Sequence, residues 1–377
     1  MRGKNKSENI INRFEEHEQD LREAIHQFVT PFLKKRKLTH LYLAWGSYQN
    51  DWAYEYQSPA GPYIFDLASL TKPLVTVPLV KKMLKDSKLS IQTPLSQFFE
   101  KKTIWPHRVN SETSVLSLIQ HRSQIPSWMN FWTNRLNPLF DISKVTKDER
   151  REVLFQRLCF LKSYEGGAVL YSDIGYLLLG VALESFYSKS LIDIFKEFSS
   201  SELKLFNSEI FFPDFNHRRG HIYVPTSFCP VRNRFLVGEV HDENSASLGG
   251  QCGHSGSFAT GQGLVIYLKK LLRSKIGVEI LRENSKFYHK VLPGEFLMGW
   301  QKESLNQTVF LDEPVYKHLG FTGTGIWIFP KRKAFLIILS NRVWSSRVSD
   351  WIQSFRTELG KLIWERSISK LELVSDS

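Results

Sequence analysis

Near the N-terminus the apolar residues recur at helical spacing. Leu21, Ile25, Phe28, Val29, Phe32 and Leu33 lie three or four apart, which predicts a helix with one buried face. Pro31 falls inside it and predicts a kink. The pattern then shortens. Two aromatic-rich runs, LYLAWGSY and DWAYEYQ, flank Gln49-Asn50 and predict a β-hairpin. After Gly61-Pro62 a second helix is expected from about Ser69, with Leu74, Val77, Val80, Met83 and Leu84 on its buried side.

The stretch from about residue 90 to 235 mixes helical patterns with loops. SVLSLIQHR and YLLLGVALESFY are its clearest helices, and FFPDFNHRRGHIYVPTSFCPVRNRF reads as a long loop of the kind that often carries function. The C-terminal third changes again. VYKHLGF, TGIWIF and AFLIILSN are three short β-branched or aromatic runs separated by Thr322-Gly323 and by Pro330-Lys331-Arg332-Lys333, which predicts an antiparallel meander. Val348, Trp351, Ile352, Phe355, Leu359, Leu362 and Ile363 then form one stripe of a closing helix. Strands at both ends and helices between them imply an α+β chain with one sheet built from both termini and a helical insert.

Composition narrows the class. The chain has 377 residues, 42% hydrophobic and 23% charged, the balance of a globular protein. Fifty Lys+Arg against thirty-eight Asp+Glu leave a net charge of +12. The basic residues are scattered apart from Lys34-Lys35-Arg36-Lys37, which reads as a solvated helix end, and no basic stripe interleaved with aromatics suggests nucleic-acid binding. Cys159, Cys229 and Cys252 are odd in number and widely spaced, so free thiols in a reducing compartment are expected. The polar N-terminus lacks the apolar core of a signal peptide, and no apolar run is long enough to span a bilayer; a cytoplasmic location and no integral membrane segment are expected.

Four groups of residues can carry chemistry. Ser69-Leu70-Thr71-Lys72 puts a hydroxyl and an amine three residues apart on one helical face, and a serine attacks only once a base takes its proton. The same spacing recurs at 201–204 and 367–370, but in polar surroundings, whereas Ser69 lies between Leu67, Ala68 and Leu70. Tyr171-Ser172-Asp173 offers a phenol to relay a proton and a carboxylate to position a lysine; read alone, it is equally a loop ending in a helix cap, with Asp173 capping. His318-Leu319-Gly320-Phe321 places a glycine in a strand, where a ligand can approach the backbone and the Phe321 N–H could stabilise an oxyanion; read alone, it is equally a strand histidine before a turn. His241-Asp242-Glu243-Asn244, followed by Gly253-His254-Ser255-Gly256, matches no metal-ligand spacing, and no metal or other cofactor is expected. Residue 257 is Ser and not Gly, so this stretch is not a nucleophile elbow either.

Taken in order, YIFDLASLTKPLVTVPLV, LSLIQHRSQIPSW, YSDIGYLLLGVALE, VHDENSASLGGQCGHSGSFATGQGL and HLGFTGTGIWIFP resemble the serine β-lactamase and penicillin-binding-protein superfamily, and within it the class C-like branch of β-lactamase-related hydrolases and esterases. The resemblance covers roughly residues 20 to 365. It implies a β-lactamase/transpeptidase-like α+β fold, an antiparallel sheet flanked by helices plus a helical lobe. A single catalytic domain of residues 1–377 follows, with the sheet lobe from about 20–68 and 236–366 and the helical lobe from about 69–235.

By position, the resemblance makes Ser69 the acylated nucleophile, Lys72 its base partner and Tyr171 the group that passes the proton to the leaving group. Asp173 stands where the family has Asn or Asp, and His318 where many members have Lys and others have His. The resemblance implies that the Ser69 and Phe321 amides, with Gly320 between strand and turn, would form the oxyanion hole. The implied function is a serine hydrolase acting on a small ester, amide or peptide through an acyl-enzyme. The alternative is an acyl-binding protein or sensor that turns over little.

Two positions depart from the family pattern. Leu319 replaces a hydroxyl residue that helps hold a substrate carboxylate, which favours substrates lacking that carboxylate over a β-lactam. His121-Arg122-Ser123-Gln124 lacks the usual glycine. His318 is expected to titrate near neutral pH. Trp128, Phe131, Trp132 and Trp300 are candidates for an aromatic-lined cleft, or for ordinary core packing.

Overall fold

A computed structural model describes residues 4–50, 53–99, 111–131, 169–206, 209–213, 222–303 and 314–371, with side chains from residue 19 onward. The helices are α1 (Lys4–Lys34), α2 (Val77–Ser87), α3 (Val115–Ile119), α4 (Asp173–Tyr187), α5 (Leu191–Glu202), α6 (Glu243–Ser247), α7 (Gly261–Arg273), α8 (Lys275–Tyr288) and α9 (Trp351–Arg366). The strands are β1 (Leu41–Ser47), β2 (Ala53–Ser58), β3 (Tyr63–Asp66), β4 (Ile210–Phe211), β5 (Ile222–Tyr223), β6 (Phe228–Cys229), β7 (Arg234–Phe235), β8 (Phe258–Thr260), β9 (Gln301–Lys302), β10 (Tyr316–Leu319), β11 (Gly325–Phe329) and β12 (Ala334–Ser340).

The main sheet runs β2-β1-β12-β11-β10-β9 and is antiparallel throughout. β1 pairs with β12, Leu41 opposite Ser340 and Ser47 opposite Ala334, so the two chain ends join at its centre. The hairpin and the meander form as their aromatic and β-branched runs predict. Because successive side chains of a strand point to opposite faces, each central strand feeds two cores. Leu43 and Trp45 of β1, Trp327 and Phe329 of β11, and Leu336 and Ile338 of β12 pack outward against Ile25 and Val29 of α1 and Phe355, Leu359 and Ile363 of α9. Tyr42, Ala44, Ile326, Ile328, Phe335, Ile337 and Leu339 pack inward with α2, α4 and α7.

On β10 the same alternation decides the site. Tyr316 and the buried His318 face inward, while Leu319 lies on the outer face with Trp327. Leu319 therefore brings no side-chain group to the inner face.

A second, four-stranded sheet, β4-β8-β3-β5, delivers β3 to the site. β5 lies in the stretch expected as a long loop and β4 ends at its first residue; the same stretch supplies the β6–β7 hairpin, so its described part contains short paired segments.

Candidate active site

β3 ends at Asp66, and the chain turns abruptly into Ser69. The expected helix start is instead a 3-10 turn over Ala68–Leu70 followed by a π-helical turn over Lys72–Thr76, before α2 begins. Ala68 takes a left-handed backbone, φ 47°, which an alanine adopts at a cost of roughly 1–2 kcal/mol. Its surroundings impose it. Asp66 Oδ1 accepts the Ala68 N–H at 2.8 Å, and Asp66 Oδ2 accepts the His241 N–H at 2.7 Å. Thr71 Oγ1 donates to the Ala68 carbonyl at 2.7 Å, and the Leu67 N–H donates to Ser257 O at 3.0 Å. Burial pushes the Asp66 carboxyl up to about 6, although its two amide donors pull the other way.

Lys72 is fully buried and uses all three ammonium hydrogens. Its Nζ donates to Ser69 Oγ at 3.1 Å, to Asp173 Oδ1 at 2.7 Å and to the His254 carbonyl at 3.0 Å. The Tyr171 ring lies 5.0 Å from Nζ, which sets its phenol beside Lys72 and Ser69. Burial alone would lower the Lys72 pKa. The charge of Asp173, its hydrogen bond and the neighbouring Tyr171 outweigh it and hold the pKa above the ordinary lysine value. Burial raises the Tyr171 phenol, against the pull of Lys72. The resting pair is therefore an ammonium beside a neutral phenol.

Asp173 does not cap α4. Ser172 does, accepting the Gly175 N–H at 3.0 Å, and this leaves Asp173 in the first turn with its carboxylate on Lys72. The His254 carbonyl reaches Lys72 because the loop carrying it presses on α4: a Cβ at Gly253 would stand 2.2 Å from the Tyr176 carbonyl oxygen. The His254 ring pairs with Asp242, Nε2 to Oδ1 at 2.9 Å.

His318 lies beside this cluster, its ring 6.5 Å from that of Tyr171. It does not titrate near neutral pH as expected. Burial and the Lys72 charge hold its pKa at about 3, against the pull of the Leu319 carbonyl. That carbonyl lies 3.2 Å from Nδ1 and can only accept, so Nδ1 carries the proton and Nε2 is an acceptor. The sequence reading missed His121 as a site residue. Its ring packs on Tyr171 at 4.4 Å and on Phe296 at 4.5 Å, and its Nδ1 accepts the Ser172 N–H at 2.9 Å. Its place in LSLIQHRSQIPSW was the available signal.

The turn after β10 meets the nucleophile segment edge-on. Thr322 Oγ1 donates to Asp66 O at 2.8 Å and Thr324 Oγ1 to Leu67 O at 3.2 Å. A Cβ at Gly320 would stand 2.0 Å from Thr324 Oγ1 and 2.8 Å from Leu67 O, so only glycine allows this approach. Among the described residues no backbone carbonyl accepts the Phe321 N–H, and the Phe321 ring is partly exposed.

The remaining candidates are scattered. Glu243 pairs with Arg347, and Asn244 hydrogen-bonds the backbone of Phe131 and Met129. His241 bonds Ser227 Oγ at 2.9 Å. Among the described residues no three His, Cys, Asp or Glu side chains converge to hold a metal ion. Trp128 is exposed, Phe131 and Trp300 are buried in the core, and Trp132 lies outside the described residues, as does Cys159. No described helix is long and apolar enough to cross a membrane.

Three comparisons bear on this geometry. The family model described as Beta-lactamase matches residues 61–357. An N-acetylmuramyl-L-alanine amidase of Bacillus subtilis (strain 168) is 27% identical over 313 residues, 74% of this chain and 68% of that protein. A putative D-alanyl-D-alanine carboxypeptidase of Salmonella enteritidis PT4 is 24% identical over 315 residues, 74% of this chain and 69% of that protein. Among solved structures, the octameric penicillin-binding protein homologue from Pyrococcus abyssi superposes with a TM-score of 0.65 at 17% identity, over 93% of this chain and 78% of that one. A class C beta lactamase from Rhodobacter sphaeroides gives 0.65 at 14% identity, over 91% and 99%. These structural likenesses bear on the fold alone.

Proposed function

The chain belongs to the beta-lactamase family and is a serine hydrolase of that type, and from this premise we propose that it forms an acyl-enzyme on Ser69 and cleaves an amide, peptide or ester bond. The observation that carries the reading is the bonding of Lys72, whose ammonium joins Ser69 Oγ, the Asp173 carboxylate and the His254 carbonyl while packing on Tyr171.

The pair Lys72–Tyr171 holds one proton too many at rest. Once it loses that proton it can take the one on Ser69 Oγ as Oγ attacks the carbonyl. The tetrahedral oxyanion is met by the Ser69 and Phe321 amides. Tyr171 hands the proton to the leaving amine or alcohol, and water then releases the acyl group by the reverse transfers. Asp173 holds Lys72 in place, and His318, neutral, presents Nε2 as an acceptor at the edge of the cluster. The printed names of the relatives, an amidase and a carboxypeptidase, support an amide or peptide substrate. Leu319, turned to the outer face, supplies no hydroxyl for a substrate carboxylate. The whole chain acts as one catalytic domain in this reading, and the buried free thiols Cys229 and Cys252 fit a cytoplasmic location.

The test is a panel of p-nitrophenyl esters, D-amino-acid amides and nitrocefin, run beside fluorophosphonate labelling. Ester or amide turnover and labelling are expected in the wild type and lost in Ser69→Ala, with nitrocefin turned over poorly. Equal labelling of both proteins would reject Ser69. An acylation burst without steady-state product would favour the sensor reading over an enzyme.

A further inference from the structure

The turn Gly320–Thr324 is surrounded on its carbonyl side by two buried arginines. Arg356 of α9 sends Nη2 to the Thr324 carbonyl at 2.6 Å and to the Gly320 carbonyl at 3.1 Å. Arg342, just after β12, sends Nε to the Phe321 carbonyl at 2.7 Å and lies over the Phe321 ring at 4.5 Å. Each is only 8% exposed. Among the described residues neither forms an ion pair with a carboxylate, although burying an unpaired charge is expensive. They also repel each other: burial first, and then Arg342, bring the Arg356 pKa down to about 9, which still leaves it charged at neutral pH.

A turn that needed only hydrogen bonds would be served by neutral donors. Two unpaired guanidiniums do something a neutral donor cannot, since they make the potential around the turn positive. One of the contacts is specific. The Gly320 carbonyl and the Phe321 N–H belong to the same peptide unit, so a cation on the oxygen draws electron density from the nitrogen and strengthens that N–H as a donor.

We propose that Arg356, with Arg342, is a positioning residue that polarises the Gly320–Phe321 peptide and so strengthens the oxyanion hole. The inference rests on the serine-hydrolase reading above. Arg356 reaches the backbone from behind and touches no substrate, so its effect falls on the transition state, where negative charge develops, and not on ground-state binding.

The test compares Arg356→Gln and Arg356→Lys with wild type and Ser69→Ala on p-nitrophenyl acetate, a substrate with no carboxylate. Arg356→Gln keeps a donor and removes the charge. It is expected to lower kcat about tenfold or more with KM little changed, and Arg356→Lys to recover part of the loss. An unchanged kcat in Arg356→Gln, or a loss confined to KM, would overturn the proposal. Should Arg356→Gln fail to fold, Arg342→Gln removes the neighbouring charge without touching the Gly320 carbonyl; a smaller fall in kcat with KM unchanged is expected, and an unchanged kcat would overturn the proposal. Turnover lost in Ser69→Ala but intact in the arginine variants sinks this inference alone. Turnover that survives Ser69→Ala sinks the serine reading and this one with it.

Discussion

At the scale of single residues the chemistry turns on which protons are held. Asp173 raises both Lys72 and Tyr171, so the pair gives up its proton only above the usual range of either group. The base form grows with pH, and log kcat/KM is expected to climb through neutrality with a slope near one before it levels off. Asp173→Asn removes the raising charge and leaves burial to lower Lys72, so the limb should move to lower pH. A pH–rate profile with the limb unmoved in that variant would contradict this proton assignment. His318, held at about 3, contributes no limb near neutral pH. From the residues alone, the i, i+3 spacing of Ser69 and Lys72 was legible. The charge on Lys72 was not, because its carboxylate partner lies 101 residues away in the chain.

At the scale of elements, β3, the 3-10 turn and the β10–β11 turn form one junction, with Asp66 at its centre. The carboxylate accepts two backbone amides, and an asparagine can accept with only one side-chain atom. Asp66→Asn therefore leaves a buried N–H unpaired or facing another donor, at a cost of roughly 1–3 kcal/mol. A lower melting temperature is expected, together with slower labelling of Ser69 as Ala68 relaxes from its left-handed conformation. An unshifted melt with unchanged labelling would show that the junction does not depend on Asp66. The short apolar runs predicted β10 and β11 on one side of this junction, but not β3 on the other. Periodicity misread the junction itself as a helix start, because tertiary hydrogen bonds from Ser257, Thr322 and Thr324 tighten the backbone there.

Across the whole molecule, burial of neutral histidines links the fold to pH. His318 is held at about 3 and His241 at about 4, and His121 is lowered well below 6.5, in each case first by burial. The unfolded chain binds these protons from about pH 6.5 downward, so stability is full above that pH and is lost as pH falls toward the folded values. At pH 5 the His318 and His241 imidazoles each cost about 2 kcal/mol, and His121 acts in the same direction. Asp66, raised to about 6, acts in the opposite sense, but it is one group against three. The melting temperature is expected to fall clearly between pH 7 and pH 5; a flat profile over that interval would mean that the histidines are not buried neutral.

The sequence by itself determined the hairpin, the meander, both long terminal helices and the ordered motifs that align Ser69, Lys72, Tyr171 and His318. The elements follow from local period and spacing, which the chain carries wherever it folds, and the alignment of the motifs from the resemblance to the family. Only the tertiary structure decided that Ser172 rather than Asp173 caps α4, that Lys72 is an ammonium and His318 a neutral acceptor, and that two arginines lie behind the Phe321 peptide. Arg356 has no mark in the sequence beyond a place on an amphipathic helix. Desolvation and electrostatic potential depend on distance through space, and that distance is set only when the two ends of the chain close into one sheet.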